Sequence, residues 1–337
     1  MVKRVVAFFG FFVSALYGGA LQMEGYGEIL GFSHSQSRSD MTVRFVPAMS
    51  YALTDTITFH GQLGFEHPAE AGKHWYEGEL EVFSFDIALR PDVIANVGKV
   101  HMPVGLYNLY HEPVYFLTME PSRVEYLIIP AEWHENVVLF NHTQGLTTYT
   151  MGAISPMKSE KIESQTWIRE GKEGHVRDPW HPGWIARIDH GNIEKSLIGG
   201  TVVQTPLVGS GGEAWLVEGH VKHFWDNGWE GTFLASKGWL HNAQGIEKIG
   251  EPLRSHAEGL SGTLGYDVGS LMALPHRQVV GYLHKEYAYP STKAELGGSA
   301  SAVGINYFFT PRVVFKGEYK TSSRELSHIA MGIGFVY

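Results

Sequence analysis

Cysteine is absent from this chain of 337 residues, and charged residues make up only 18% of it. The lack of cysteine excludes a disulfide framework and thiol chemistry. The sequence also lacks helical heptads, a low-complexity linker and an apolar run long enough for a transmembrane helix. These absences argue against a helical bundle and against a chain divided by a flexible linker, so we expect a single domain over residues 21–337.

Aromatic residues and glycine are abundant instead. The chain has 40 Gly, 9 Trp, 16 Tyr and 18 Phe, a composition typical of β-rich proteins. Its mean hydropathy is −0.11. A value near zero does not exclude a membrane β-barrel, because alternating strands average apolar and polar residues.

The N-terminus has the layout of a secretory signal peptide. Lys3 and Arg4 precede an apolar run over 5–17, and small residues follow up to Ala20. The alternative is a membrane anchor, but such a run is shorter than the roughly 20 residues that span a bilayer. We therefore predict a signal peptide over 1–20. Removing two positive charges changes the net charge from −9 to −11, which argues against a nucleic-acid partner.

Apolar and polar residues alternate along several segments of the mature chain. The clearest are "TITFHGQLGFE" (56–66), "EVFSFDIALR" (81–90), "AWLVEGHVKHFW" (214–225) and "RVVFKGEYK" (312–320). The C-terminus, "HIAMGIGFVY" (328–337), carries an apolar side chain at every second position. This period predicts strands with one apolar and one polar face.

Short and long connectors also alternate, which indicates an up-and-down antiparallel array. The short connectors lie at 54–56, 90–92, 226–228 and 310–312, and the long ones at 67–77, 170–183 and 241–256. A soluble sandwich or propeller and an outer-membrane barrel both fit such an array. The polar faces and the aromatic residues near strand ends favour the barrel, with its apolar faces toward lipid. About 20 residues per strand predict about 16 strands, with 14 or 18 as alternatives, and an aqueous lumen.

The last strand is expected to close the barrel by pairing with the first, near 25–34. Its aromatic end, Tyr337, resembles the C-terminal signal that the barrel-assembly machinery reads, in which Phe is the usual last residue. That machinery, outer-membrane lipid and small hydrophilic solutes or ions are therefore the expected partners. An apolar outer face would also permit a homotrimer.

Residues 98–140 break the strand pattern. They are too long for a loop tip and too apolar for solvated disorder, so we expect them to fold into the lumen as a constriction. A short helical turn is expected within 122–133, ended by Pro130. The expected fold is thus all-β, a transmembrane antiparallel barrel with an inward-folded constriction loop.

This segment resembles the phosphate-selective porins O and P and their wider relatives. The resemblance rests on "KVHMPVGL" (99–106) and "PAEWHENVV" (130–138). It implies an outer-membrane porin, and the family's phosphate selectivity depends on lysine and arginine ladders in the constriction. Here Val137 stands where the family usually has Gly. The predicted constriction residues are mainly acidic: Lys99, Glu112, Glu120, Arg123, Glu125, Glu132 and Glu135.

Basic residues at the inward-facing positions of the predicted strands would form the pore wall: Arg44, Arg90, Arg187, Lys222, Lys316 and Lys320. Facing an acidic loop, they would create a transverse field that selects solutes by charge. Each could instead pair with a wall carboxylate, namely Asp86, Asp189, Glu218 or Glu318. We predict a passive diffusion porin, with an anion (phosphate)-selective porin as an alternative.

Other chemistry finds little support in the sequence. His220 and His223 would point to opposite faces of a strand, and the loop from His175 to His181 is better explained as solvated, so no metal or cofactor is expected. No hydrolase or nucleotide-binding motif appears, so an enzyme is not expected. A barrel-anchored surface receptor or adhesin is the alternative from another class.

Overall fold

The computed structural model describes residues 21–35, 39–67, 77–162, 166–172, 181–242, 256–272, 274–290, 297–323 and 326–337. Its strands are β1 Leu21–His34, β2 Ser39–Ala52, β3 Ile57–His67, β4 Glu77–Arg90, β5 Val93–His101, β6 His134–Gln144, β7 Thr147–Ile154, β8 Met157–Lys158, β9 Gly183–Asn192, β10 Ser196–Val208, β11 Gly212–Phe224, β12 Trp229–His241, β13 His256–Asp267, β14 Val279–Tyr289, β15 Gly298–Thr310, β16 Val313–Ser322 and β17 His328–Val336. Short helical turns lie at Val124–Ile128, Ser159–Lys161, Arg169–Gly171 and Val268–Met272. None of the helices in these ranges is long and apolar enough to cross a bilayer.

The strands form one closed antiparallel barrel. The sheet has 17 strands, but the two-residue β8 pairs in parallel beside β10, and β7 pairs directly with β9, which leaves 16 strands around the wall. β1 closes the barrel against β17, with Ile29 opposite Ile333 and Tyr26 opposite Val336. The predicted architecture, strand number and closure of the last strand on the first are confirmed.

The two ends of the barrel differ in their connections. At one end, here called the turn end, neighbouring strands join through 53–56, 91–92, 145–146, 193–195 and 311–312. At the other, the loop end, the chain runs through 68–76, 102–133, 155–182 and 242–255. Both the start of β1 and the end of β17 lie at the turn end. The predicted alternation of short and long connectors holds for most connections, but the β13–β14 connection at the turn end is long and the β10–β11 connection at the loop end is short.

The apolar faces of the strands point outward. Along β17 the exposed residues are Ile329, Met331, Ile333 and Phe335, and the residues between them are buried. Exposed aromatic residues gather at both ends of the wall: Trp225, Trp229, Tyr307 and Phe309 at the turn end, and Trp184, Trp239, Tyr287 and Tyr289 at the loop end. An apolar band between two aromatic girdles is the outer surface of a transmembrane barrel.

The segment inside the barrel is shorter than predicted. Residues 98–101 and 134–140 belong to β5 and β6, so the inserted segment spans 102–133. The expected helical turn is present as one π-helical turn, Val124–Ile128. Because β5 ends at His101, the chain leaves the wall there and returns opposite it at His134.

Part of the lumen is a dry apolar core, which the sequence analysis did not anticipate. Met102, Leu106, Ile128 and Trp133 of the segment belong to one buried cluster with wall residues. Most wall residues of this cluster lie on β6, β7 and β9–β12 and include Leu139, Ile154, Ile185, Leu197, Leu216 and Leu234. Four residues of the next loop-end connection join the same cluster: Met157, Ile162, Trp167 and Ile168. The expectation that the lumen is charged and wet throughout is wrong on this side.

The predicted signal peptide, 1–20, lies outside the described residues and stays a prediction. The same holds for most of the long connectors predicted at 67–77, 170–183 and 241–256, whose middle parts are not described.

Met331→Arg tests the outward face. Met331 is 58% exposed on the outside of β17, and an arginine at the bilayer midplane costs about 2 to 4 kcal/mol. We expect this loss of unfolding free energy in urea titrations of the protein in lipid vesicles. Asp226→Lys, at the exposed turn between β11 and β12, is the control and should leave stability unchanged. An unaffected Met331→Arg variant, or wild-type protein that stays monodisperse without detergent, would contradict the lipid-facing assignment.

Candidate functional site: the segment inside the barrel

Wall lysines bind the inserted segment by its backbone carbonyl oxygens. Lys316 Nζ on β16 lies 2.7 Å from the oxygen of Phe116 and 2.9 Å from that of Thr118. Lys222 on β11 donates to the oxygen of Tyr115. Both lysines are buried. A non-helical stretch of the segment therefore obtains hydrogen-bond partners from the wall, as buried backbone groups require.

Arg187 on β9 both binds the inserted segment and pairs with carboxylates of the wall. Its Nη1 donates to the oxygen of Gly105 over 2.8 Å, and its Nε lies 2.6 Å from Asp189 Oδ2. Arg187 Nη1 lies 3.7 Å from Glu218 Oε1. The pairing with Asp189 and Glu218 that we considered is present. This guanidinium thus anchors the first turn of the segment while its own charge is balanced within the wall.

Wall carboxylates bind backbone amides of the same segment. Glu286 Oε2 accepts from the Arg123 amide over 2.6 Å, and Glu318 Oε2 accepts from the Met119 amide over 3.3 Å. Lys320 Nζ lies 3.4 Å from Glu286 Oε1. The wall therefore matches the backbone group by group, with cations at carbonyls and carboxylates at amides.

Arg44 on β2 forms an ion pair between the wall and the segment. It donates to Glu132, at the end of the segment, and lies 3.1 Å from Glu81 on β4. Desolvation would raise the pKa of Glu132, but the positive charges of Arg44 and Lys172 hold it below its usual value. Glu132 is therefore ionised at neutral pH.

Glu125 binds backbone amides of the segment. It is buried, and its Oε1 accepts from the amides of Leu106 and Tyr107 over 2.9 and 2.7 Å. Burial raises the pKa of Glu125, although these two amide bonds oppose the rise. Its carboxylate thus ties the helical turn to the start of the segment.

The tip of the segment carries two further titratable groups whose charged forms are disfavoured. Burial raises the pKa of Glu112. Burial, with Arg44 nearby, lowers the pKa of His111 to about 3. His111 is therefore neutral at neutral pH, and burial makes the charged form of Glu112 less favourable than in water.

Two predicted constriction residues lie on wall strands instead of the segment. Lys99 Nζ on β5 is 3.1 Å from Glu79 Oε1 on β4. Glu135 on β6 is buried and accepts from the indole nitrogen of Trp133 over 3.2 Å and from the Ser155 hydroxyl. Glu135 therefore fixes the point where the chain rejoins the wall.

The remaining predicted residues differ in exposure. Arg90 lies at the turn end of β4, 3.1 Å from Asp92, with 62% of its side chain exposed, so it stands at the rim rather than on the inner wall. Glu120 is exposed on the segment, whereas Arg123 is buried. Glu132 is half-buried beside Arg44.

A row of polar side chains crosses five strands nearer the turn end. Thr150 Oγ1 on β7 lies 2.6 Å from Asn141 Oδ1 on β6. Asn141 donates to Asn96 on β5, and Asn96 donates to Asp86 on β4. Asp86 Oδ2 lies 3.2 Å from His60 Nε2 on β3, and about a third of each of these two side chains is exposed. The sequence analysis missed this row, although the alternation already placed Asp86 and His60 on polar faces.

A small cavity of about 30 Å³ lies between the segment and strands β11–β14. Its lining is Tyr115, Phe116, Leu117, Thr118, Ser122, Glu125, Lys222, Glu230, Thr232, Leu234, Ser261, Thr263 and His284. Most of these residues offer polar atoms, and the backbone of the segment forms one side. The lining thus offers both hydrogen-bond donors and acceptors.

The charge arrangement differs from the expected transverse field. Arg44 faces an acidic residue of the segment, but Arg187, Lys222 and Lys316 are directed at backbone carbonyls and are buried. Their first role is to support the segment.

Comparison with known proteins supports the fold. No protein-family model matches the chain. An uncharacterized protein of Aquifex aeolicus (strain VF5) is 27% identical over 143 residues, 41% of this chain and 33% of that protein. The match thus covers about a third of that relative's length.

Several solved membrane barrels are similar in structure. OmpF of Salmonella typhi, in complex with daunomycin, has a TM-score of 0.66 at 8% identity, covering 95% of this chain and 98% of that chain. The outer membrane channel DcaP of Acinetobacter baumannii has a TM-score of 0.61 at 10% identity, with coverages of 95% and 98%. A mutant Rh. blastica porin has a TM-score of 0.54 at 11% identity, with coverages of 94% and 100%.

The chain has the fold of the outer-membrane porins. The likeness extends over nearly the whole described barrel, and the outward apolar band agrees with it. The prediction of an outer-membrane barrel is confirmed at the level of the fold.

Glu125→Ala tests the support of the segment. The variant leaves two amides, those of Leu106 and Tyr107, without their acceptor, and we expect the local unfolding free energy of the segment to fall by about 2 to 4 kcal/mol. Hydrogen exchange at residues 103–110 measures the loss. Glu125→Gln keeps one acceptor oxygen and should exchange nearly as slowly as the wild type. Equal exchange in all three proteins would show that the carboxylate does not hold the segment.

Proposed function

We propose that the protein is a passive diffusion porin for small hydrophilic solutes or ions across the bacterial outer membrane, a channel rather than an enzyme. The observation that carries this proposal is a closed barrel, apolar outside, whose polar inner wall holds an inserted segment. Barrels of about 16 strands are wide enough for an aqueous passage, whereas barrels of eight strands are filled by side chains. The segment 102–133 is the constriction in this proposal.

The cavity along β11–β14 is proposed as part of the passage. Thr232 and Ser261 line it from the wall, and Tyr115 and Ser122 line it from the segment. The partly exposed pair His60 and Asp86 lies nearer the turn end, where an aqueous vestibule would begin. Together these surfaces provide the donors and acceptors that a hydrophilic solute exchanges for water.

Thr232→Trp tests whether solutes pass along this cavity. A tryptophan side chain at a cavity-lining position should lower the single-channel conductance in planar bilayers by roughly half or more, because ion flow scales with the open cross-section. Phe233→Trp is the matched control, since Phe233 is exposed on the outer face and the same ring there faces lipid. A wild-type protein that inserts but never conducts would favour the receptor or adhesin. If the Thr232→Trp variant conducts like the wild type, solutes pass through another part of the lumen.

A weak cation preference is proposed for the constriction. Glu120 is exposed on the segment, whereas Arg187, Lys222 and Lys316 are buried against it and Glu132 is paired with Arg44. Fixed charges near water shape the potential of a narrow aqueous passage more strongly than charges compensated in the wall. An acidic constriction that faces a basic wall thus acts mainly through its carboxylates.

Glu120→Gln tests the selectivity. In a KCl gradient the wild type should show a reversal potential of the sign that K⁺ preference gives, and the variant should shift toward zero. Asp226→Asn, at the turn end, is the control for a loss of charge away from the segment. Permeability that favours phosphate strongly over chloride would reject the acidic constriction and support the phosphate-selective alternative. That outcome would also give functional weight to the resemblance at 99–106 and 130–138.

Two partner predictions remain part of the proposal. The C-terminal strand ends on Tyr337 with exposed apolar residues at alternate positions, which is the pattern that resembles the barrel-assembly signal. The same outer face leaves room for a homotrimer, which the mass of the detergent-solubilised protein would test.

A further inference from the structure

Three histidine rings meet where the chain leaves and rejoins the wall. The ring centroid of His101, at the end of β5, lies 4.6 Å from that of His111 on the segment. It lies 4.5 Å from that of His134, at the start of β6. Glu81 on β4 lies twenty positions before His101, His111 ten after it and His134 thirty-three after it. The early end of β5 and the inward path of the segment bring them together.

Glu81, His101 and His111 have the arrangement of a metal-binding group. One ligand atom from each of the three lies within 4.8 Å of the others. Tetrahedral zinc sites, with bonds of about 2.0 to 2.2 Å, place their ligand atoms roughly 3.4 Å apart. Small side-chain rotations would therefore close this group around one ion.

The ring nitrogens of His101 give independent evidence that the group of Glu81, His101 and His111 is a site for an ion. Both of its ring nitrogens are inaccessible to solvent and have no hydrogen-bond partner. Buried polar atoms normally have one, and an exception calls for an explanation such as an ion. His111 has a hydrogen bond to the backbone of Asn108. Such a bond fixes the ring and leaves the other nitrogen available, as is usual for metal-bound histidines.

We propose that Glu81, His101 and His111 bind one divalent transition-metal ion, with Zn²⁺ as the representative of the class. Two imidazoles and one carboxylate suit Zn²⁺, Ni²⁺ or Cu²⁺ rather than Mg²⁺ or Ca²⁺, which prefer oxygen ligands.

The charges around the group are compatible with a cation. Arg44 Nη2 lies 3.1 Å from Glu81 Oε1, and Gln62 Nε2 lies 2.8 Å from Glu81 Oε2. A carboxylate has about four acceptor sites, so the metal shares Glu81 with both donors. Glu132 pairs with Arg44, and Glu79 Oε1 lies 3.6 Å from His134 Nδ1. The positive charge of Arg44 is thus already compensated.

Metal binding would connect the inserted segment to two wall strands, because His111 lies on the segment while Glu81 and His101 lie on β4 and β5. This effect does not depend on the porin proposal. It would make the tip of the segment more rigid and raise the thermal stability of the holoprotein.

Zn²⁺ titration of the EDTA-treated, detergent-solubilised protein tests the site. We expect one Zn²⁺ per chain by isothermal titration calorimetry, and His101→Ala and His111→Ala should each weaken binding at least tenfold. His241→Ala, at the exposed end of β12, is the matched control and should bind like the wild type. Co²⁺ in place of Zn²⁺ should give the visible absorption of a four-coordinate nitrogen and oxygen site in the wild type.

Circular dichroism and the heat-dependent gel mobility of the barrel establish that each variant is folded. Glu81→Gln provides a second test that retains side-chain size. Absence of Zn²⁺ binding by the folded wild type would overturn the proposal, as would equal affinity in the His101 and His111 variants. Single-channel conductance measured without metal reports on the porin proposal separately.

Discussion

The structure depends on one requirement: the backbone of the segment inside the barrel must find hydrogen-bond partners away from bulk water. Lys316, Lys222 and Arg187 donate to its carbonyls, and Glu286 and Glu318 accept from its amides. Non-helical chain at membrane depth is stable only when the surrounding protein satisfies it in this way. The charged side chains of the inner wall therefore bind the backbone of the segment first. Only polar groups that are not used in this way are available to a solute.

This requirement gives the lumen two different sides. Toward β6–β12 the segment packs on an apolar core with Leu106 and Ile128 fully buried, so that region is closed and provides rigidity. Along β11–β14 polar side chains line a cavity, and near the turn end the polar pair His60 and Asp86 is partly exposed. A rigid segment held at a fixed distance from the wall is what a size-selective passage needs, because a mobile one would not define a cross-section.

The sequence alone determined the barrel. Alternation with period two is a local property, and it identified the outward residues of β17, from Ile329 to Phe335, and the polar faces around His60 and Glu218. The spacing of turns gave the number of strands, and the apolar C-terminus required a partner strand. Each of these inferences needs only neighbouring residues, because side-chain direction in a strand is fixed by position within a few residues.

Tertiary structure alone decided the roles of the charges and the composition of the histidine group. Nothing local to Lys316 predicts that it binds the carbonyls of Phe116 and Thr118, about 200 positions earlier. Nor does the sequence around His101 indicate His111 and Glu81 as neighbours. Barrel closure and strand register set those distances, and the inward path of 102–133 depends on packing against strands far along the chain. A sequence pattern records which face a residue occupies, whereas its partner across the lumen depends on the completed fold.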